Sequence, residues 1–210
     1  MFPAWHAIEC DSHPNCDNLS MLVLASASPR RRELLAQAGF AFEVQPADVN
    51  EDLRPGEDPI AYVTRLAREK AEAVFAQRAN ADAELVVLGA DTTVCVDRQI
   101  LGKPESAQDA ARMLRLLSGR THRVITGVAL VSASQTQVAA EVTAVQFLSV
   151  SEAEIAGYIA TGEPSDKAGA YAIQGYAARW IPRIEGCYFN VVGLPIALVS
   201  TLLNALPLPA

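Results

Sequence analysis

Half of the 210 residues are hydrophobic and a fifth are charged, with 24 acidic side chains against 17 Lys and Arg and a formal charge of -7. That length can bury one substantial core, or two lobes sharing one, while the negative balance argues against a general nucleic-acid binder, which needs a basic field to displace counterions from phosphates. No apolar run approaches the roughly 20 residues that span a bilayer, and the first residues are polar and acidic where a secretory leader is basic and then apolar. A cytoplasmic protein without a membrane partner is therefore expected.

Residues 1–20 lack sustained periodicity and read as a disordered extension, so the folded unit is expected to begin at Met21 and run to residue 206, with 207–210 as a tail. His6, Cys10, His13 and Cys16 hold zinc-ligand chemistry, but their spacing matches no common structural zinc pattern. Four cysteines, two in this polar stretch and two in core-like runs, do not suggest a disulfide scaffold in a chain of this size.

From Leu22 to Ala25 the apolar run predicts a short strand, which enters Ser26-Ala-Ser28-Pro29-Arg30-Arg31-Arg32. Ser28 can cap a helix whose first turn Pro29 suits, and Gly39 ends it. A strand meeting a helix N-terminus, with guanidinium groups beside free backbone N–H groups, is a candidate anion site. One or two of the three arginines are expected to face a ligand, the others pairing with Glu33 or solvent. Phe40–Val44 predicts a second strand.

Asp58-Pro59 opens a helix to about Arg78 whose apolar stripe of Val63, Leu66, Ala67 and Val74 also contains Lys70 at 100° per residue. Lys70 either snorkels past the core or delivers an ammonium into a cleft beside anions. Residues 85–90 form an almost continuous apolar strand of the doubly buried kind, with Asp91 at its carboxyl end, the usual cleft position of an α/β sheet. That carboxylate can bind a metal, orient water, accept its proton, or simply cap the next turn. Thr92–Val96 extends the strand, Asp97-Arg98 is a turn, and a short return strand leads to Gly102-Lys103-Pro104.

Ser106–Leu117 predicts a helix ending near Gly119, and Thr121–Ser132 with Val138–Leu148 a hairpin. Ser151 and Glu154 form a capping box for a helix to about Ala160. Gly162–Tyr188 has little periodicity and reads as a functional wall, before a last helix over Leu194–Leu206. Strands alternating with helices, plus one hairpin, give a mixed α/β fold with two lobes in one domain. Glu51, Lys103, Glu163, Asp166 and Lys167 add charge between these elements, as a metal-bound polyphosphate would require.

The ordered set Ser26-Ala-Ser28-Pro-Arg-Arg, Gly89-Ala-Asp91-Thr92, Gly102-Lys-Pro104, Ser118-Gly-Arg-Thr-His122, Gly162-Glu-Pro-Ser-Asp-Lys-Ala-Gly169, Tyr171-Ala-Ile-Gln174-Gly175 and Val191-Val-Gly-Leu-Pro195 resembles the Maf family of nucleoside triphosphate pyrophosphatases over residues 21–206. The resemblance implies a two-lobed Maf/ITPase-like fold with a mixed twisted sheet and central cleft, frequent homodimers, and hydrolysis of a nucleoside triphosphate to monophosphate and pyrophosphate with Mg²⁺ or Mn²⁺. It implies Asp91 as catalytic base, with Glu51 and Asp91 near the metal. Ser28, Arg30, Arg31, Lys70, Lys103 and Lys167 are the expected phosphate ligands. Within the family, the dTTP/UTP branch is most similar, its specificity positions falling on Arg30, Thr92 and Gln174. A glutamine amide offers the donor and acceptor that match the O4 and N3–H edge of uracil or thymine. Ala172 departs from a glycine common in the pattern, and the first 20 residues have no counterpart in it. Competing readings are the branch acting on modified nucleotides such as 7-methyl-GTP, and a nucleotide-binding regulator of division with slow turnover.

Overall fold

The computed structural model describes residues 21–78 and 85–206. The expected N-terminal extension, its His and Cys residues, and the tail at 207–210 lie outside the described residues.

A seven-stranded mixed sheet organises the chain. Its strands are β1 (Met21–Leu24), β2 (Glu43–Val44), β3 (Leu85–Val96), β4 (Gln99–Leu101), β5 (Thr121–Ser132), β6 (Thr136–Gln146) and β7 (Arg183–Glu185). The order is β2-β1-β3-β5-β6-β7, with β4 also paired to β3. Contacts among β2, β1 and β3 are parallel, and the others are antiparallel. Phe40–Phe42, expected in a strand, lie outside β2, and only two residues of that run reach the parallel ladder.

The 12-residue strand β3 sets the position of everything else. One edge pairs with β5 from Val86 to Cys95. Along the other edge β1 covers Met21↔Leu85 to Leu24↔Leu88, and β4 covers Val94↔Leu101 to Val96↔Gln99. Residues 89–93 have no strand partner on that edge. The opening exists because the chain leaves β1 for a helix cap at Ser28, whereas β4, turned back from β3 at Asp97 and Arg98, ends at Leu101 before Gly102-Lys103-Pro104. Both turn residues have positive φ, as that tight hairpin geometry demands.

Alternation along β3 divides the cores. Val87 faces a cluster with Ala67, Ala71 and Val74 of the long helix α2 (Pro59–Arg78). On the opposite face Val86, Leu88 and Ala90 pack with Leu34 and Leu35 of α1 (Pro29–Gln37) and with Leu194 and Val199 at the chain's end. Farther along that face, Val94 and Val96 join Met113, Leu114 and Leu117 of α3 (Ala107–Leu117) and Ile155 and Tyr158 of α4 (Glu152–Ala160). Two lobes result, meeting where Thr92 and its cross-strand partner Thr126 interrupt the apolar face. Fully buried Leu24, Leu35, Leu88, Leu114 and Leu130 each contribute about 1.5–3 kcal/mol to holding them on the sheet.

Helix α2 lies directly on strands that lack side chains at the contact. A Cβ on Gly89 would collide with the Ala67 carbonyl oxygen, and one on Gly127 with that of Val63. This close approach carries Lys70 of α2 to the level of Asp91. The Gly162–Tyr188 stretch holds three 3₁₀ turns and the short edge strand β7, and it leads into the two remaining helices, α5 (Tyr188–Val192) and α6 (Ile196–Asn204). No helix among the described residues is long and apolar enough to cross a membrane.

Candidate active site

Asp91 stands in the middle of the uncovered edge of β3, and its side chain points toward α2. Lys70 Nζ lies 2.7 Å from its Oδ1 and 2.6 Å from Glu51 Oε1, so one ammonium joins two carboxylates. Lys70 is buried, which decides between its two sequence readings: the ammonium is inside, beside anions. Asp91 is 9% exposed, whereas the Glu51 side chain is 51% exposed and forms the solvent side of the trio.

Electrostatics differ accordingly. Burial pushes the Asp91 carboxyl up from the ordinary range, and nearby Glu51 adds to this, against the opposing charges of Lys70 and Arg31. Glu51 is also raised by partial burial, but its bond to Lys70 and the charges of Lys70, Lys103 and Arg31 outweigh that and hold it low. Two carboxylates in one site are thus pushed in opposite directions, the pattern that assigns different acid–base roles.

Glu51 sits in a loop without regular structure, and α2 supplies its anchors. Tyr62 Oη donates to the Glu51 carbonyl at 2.9 Å. Burial, then the charges of Asp91 and Glu51, push that phenol up to about 12, so it remains a donor at neutral pH. The buried Arg65 donates to the Asp52 carbonyl at 3.1 Å and makes a forked pair with Glu57 at 2.6 and 2.8 Å. Neither Tyr62 nor Arg65 was expected from the sequence, where both read as ordinary helix positions.

On the other face of β3, Arg31 fills the gap left by the missing strand. Its Nη1 donates to the Ala90 carbonyl at 2.8 Å, two residues beyond the last β1 bond, Ala25 N to Leu88 O. Nη1 also reaches Ser26 Oγ at 3.2 Å, Nε the Gly193 carbonyl at 2.8 Å, and Nη2 Thr92 Oγ1 at 3.0 Å. Four of the five N–H groups a guanidinium carries therefore serve the protein, leaving one for a ligand. Desolvation lowers the Arg31 pKa, with Asp91 and Glu51 opposing.

Thr92 belongs to the same network. Its hydroxyl lies 2.9 Å from Thr126 Oγ1, and Thr126 donates to the Asn190 carbonyl at 3.1 Å. The fully buried Asn190 amide donates to Val124 O at 3.0 Å and Thr143 Oγ1 at 2.9 Å. Since Thr126 spends its single proton on Asn190, Thr92 donates to Thr126 and accepts from Arg31. The chain of donors thus runs from the site into the seam between the two lobes. Thr126 and Asn190 had no sequence signal, because their partners are 34 to 66 residues away.

A profile of the Maf-like protein family matches residues 21–206. The chain belongs to this family. A dTTP/UTP pyrophosphatase of Koribacter versatilis is 54% identical over 89% of this chain and 95% of that protein. One of Chromobacterium violaceum is 51% identical over 89% and 94%. Among solved structures, the Staphylococcus aureus Ham1 protein aligns with 88% of this chain and 98% of its own at 12% identity, with a TM-score of 0.46.

In this Maf-like chain the remaining expected site residues make no hydrogen bond or ion pair with the Asp91 trio among the described residues. Ser28 is the N-cap of α1, accepting from Arg31 N at 3.5 Å. Arg30 stands within electrostatic reach of Arg31, Asp166 and Tyr158. Lys103 is exposed and acts on Glu51, and Lys167 pairs with Asp166. Gln174 is exposed in the turn closed by Gly175 N to Ala172 O at 3.2 Å, and no direct contact joins it to the trio. Glu163, expected among the charges around a polyphosphate, is instead bound within its own lobe to Tyr158 Oη at 2.8 Å and Tyr176 N at 3.2 Å.

Proposed function

We propose that the chain hydrolyses dTTP and UTP to the nucleoside monophosphate and pyrophosphate, the activity for which its relatives are named. The observation that carries this reading is the Glu51–Lys70–Asp91 trio at the uncovered edge of β3. Asp91, its carboxyl raised by burial, is suited to take a proton from water. That water forms a bond to the α-phosphorus as the bond to the bridging oxygen breaks, and pyrophosphate departs. Lys70 holds Asp91 and Glu51 in place, and Arg30, Lys103 and Lys167 supply positive charge for the phosphates. Arg31 holds the walls together and contributes its one remaining N–H.

Glu51 and Asp91 fit a divalent cation such as Mg²⁺ or Mn²⁺. Both are hard oxygen donors, each binds the Lys70 ammonium through one oxygen, and the second oxygen of each has no protein donor among the described residues. When bound there, such an ion would supply charge neutralisation at the phosphate oxygens. Gln174 faces the nucleobase in this reading, its amide matching the uracil or thymine edge.

The test is product analysis of purified protein with UTP, dTTP, CTP and 7-methyl-GTP in Mg²⁺ or Mn²⁺. Equimolar pyrophosphate and monophosphate from UTP and dTTP, with slower turnover of the other two, is the expected result. Release of orthophosphate, binding without turnover, or preference for 7-methyl-GTP would overturn it.

A further inference from the structure

Base reading by hydrogen bonds needs the reading group held to within about 0.5 Å, yet Gln174 is exposed at the centre of a four-residue turn. The hydrogen bonds beneath that turn supply the missing rigidity. Tyr158 is fully buried in the α3–α4 lobe, packed edge-on against Trp180 and stacked on Tyr176 with ring centres 5.6 Å apart. Its hydroxyl accepts from Ala172 N at 3.3 Å and donates to Glu163 Oε1 at 2.8 Å. Glu163 Oε2 in turn accepts from Tyr176 N at 3.2 Å. The residues on either side of Ile173-Gln174-Gly175 are thereby tied to one pair, the buried Tyr158 and the half-buried Glu163. Gly175 lies against the carboxylate so closely that a Cβ would strike Oε1. Arg179, over the Tyr176 ring at 4.1 Å and bonded to its hydroxyl at 3.0 Å, fastens the outer end.

We propose that Glu163 and Tyr158 are positioning residues for nucleobase selection, setting the height and tilt of the Gln174 turn above the site. The proposal rests on the reading of Gln174 given above. Tyr158 also lies within electrostatic reach of Arg30, one of the residues expected on the phosphate side. A carboxylate is required rather than an amide: it accepts from Tyr158 and Tyr176 with two oxygens, whereas a glutamine turns one donor toward another. The glutamate is thus matched to its two donors.

The experiment compares kcat/KM for UTP and CTP in wild type, Glu163→Gln, Tyr158→Phe, Gln174→Ala and the Glu163→Gln/Gln174→Ala double variant, with thermal melts as a control for folding. Each of the first two single variants is expected to reduce the UTP-to-CTP ratio about tenfold, which corresponds to about 1.4 kcal/mol. In the Gln174→Ala background, Glu163→Gln is expected to change the ratio no further, because it acts through the glutamine. An unchanged ratio in folded Glu163→Gln and Tyr158→Phe, while Gln174→Ala loses discrimination, would overturn the positioning role and leave the Gln174 reading intact. So would an equal additional loss in the double variant. Full discrimination in Gln174→Ala would overturn the Gln174 reading itself, and with it this proposal. Tyr158→Phe keeps the test decisive if Glu163→Gln fails to fold.

Discussion

The two sides of the opening in β3 are built on opposite principles. On the inner side, Arg31, Thr92, Thr126 and Asn190 spend most of their donors on one another and on backbone carbonyls before any ligand arrives. On the outer side, Glu51, Lys103 and Gln174 are exposed, and the loop that carries Glu51 is held from behind by Tyr62 of α2. An interior polar group cannot be left unpaired without a cost of about 1–3 kcal/mol, so the inner wall must be complete. Exposed groups lose little by waiting for substrate. Changes to the inner wall should therefore reach stability and turnover together, and changes to the rim should appear in substrate affinity.

The hardest test of that division is Asp91, which stands on β3 between Ala90 and Thr92 of the inner wall and reaches Glu51 of the rim through Lys70. Asp91→Asn keeps the shape and the Lys70 contact but removes the proton acceptor. Turnover of UTP should fall on the order of 10²–10⁴-fold in a protein that still melts cooperatively, read by pyrophosphate release. Wild-type kcat in the folded variant would remove Asp91 from the chemistry.

Next in size is Thr126→Val, which keeps volume and deletes the relay hydroxyl. Thr92 loses its acceptor and the Asn190 carbonyl its donor, so unfolding free energy should drop by about 1–3 kcal/mol in urea titration. The freed Thr92 proton can turn to Gly193 O, 3.4 Å away, which disturbs the carbonyl that holds Arg31. A lower kcat, restored by Thr126→Ser, is expected; a stable variant with normal kcat would show that the network is packing only.

His122 tests the same rule in the neighbouring lobe, below Tyr171. Burial lowers its pKa to about 4, and Nε2 meets Tyr171 Oη at 2.8 Å. The folded imidazole stays neutral while the unfolded one protonates near its ordinary 6.5. The stability from this group is thus complete above that value and is lost as pH falls toward 4. At pH 5 the loss is about 2 kcal/mol. Urea titrations at pH 7.5 and 5 should show wild type losing that much more than His122→Gln. Equal losses would mean His122 is already charged, or already exposed.

Much of this architecture was legible in the sequence, for local reasons. Helix α2 was marked by Asp58-Pro59 and by its 100° stripe, and the same periodicity singled out Lys70. The capping box at Ser151 and Glu154 formed as its spacing implies. The apolar run from Leu85 marked β3 and put Asp91 at its carboxyl end, although the strand continues through Asp91 to Val96. Arg31 shows where such reasoning ends. Its triplet suggested an anion site, but its partners Ala90, Thr92 and Gly193 are distant in sequence, and only the uncovered carbonyl of β3 explains why a guanidinium is needed there. Likewise Glu163 was read among the charges around a polyphosphate, since nothing local announces that Tyr158 and Tyr176 will claim both of its oxygens.

The mildest perturbation belongs to the rim. Lys103 is exposed, and its effect on the site is to help hold the Glu51 pKa low. Removing it leaves no buried group unpaired, so Lys103→Ala should change unfolding free energy by under about 0.5 kcal/mol. The lost positive charge should raise KM for UTP several-fold at low ionic strength, and the difference from wild type should shrink as salt is added, because the charge acts through solvent. Steady-state kinetics at two salt concentrations make the comparison. If kcat fell instead as far as in Asp91→Asn, with KM and its salt response unchanged, Lys103 would belong to the inner wall and the division between the two sides would fail.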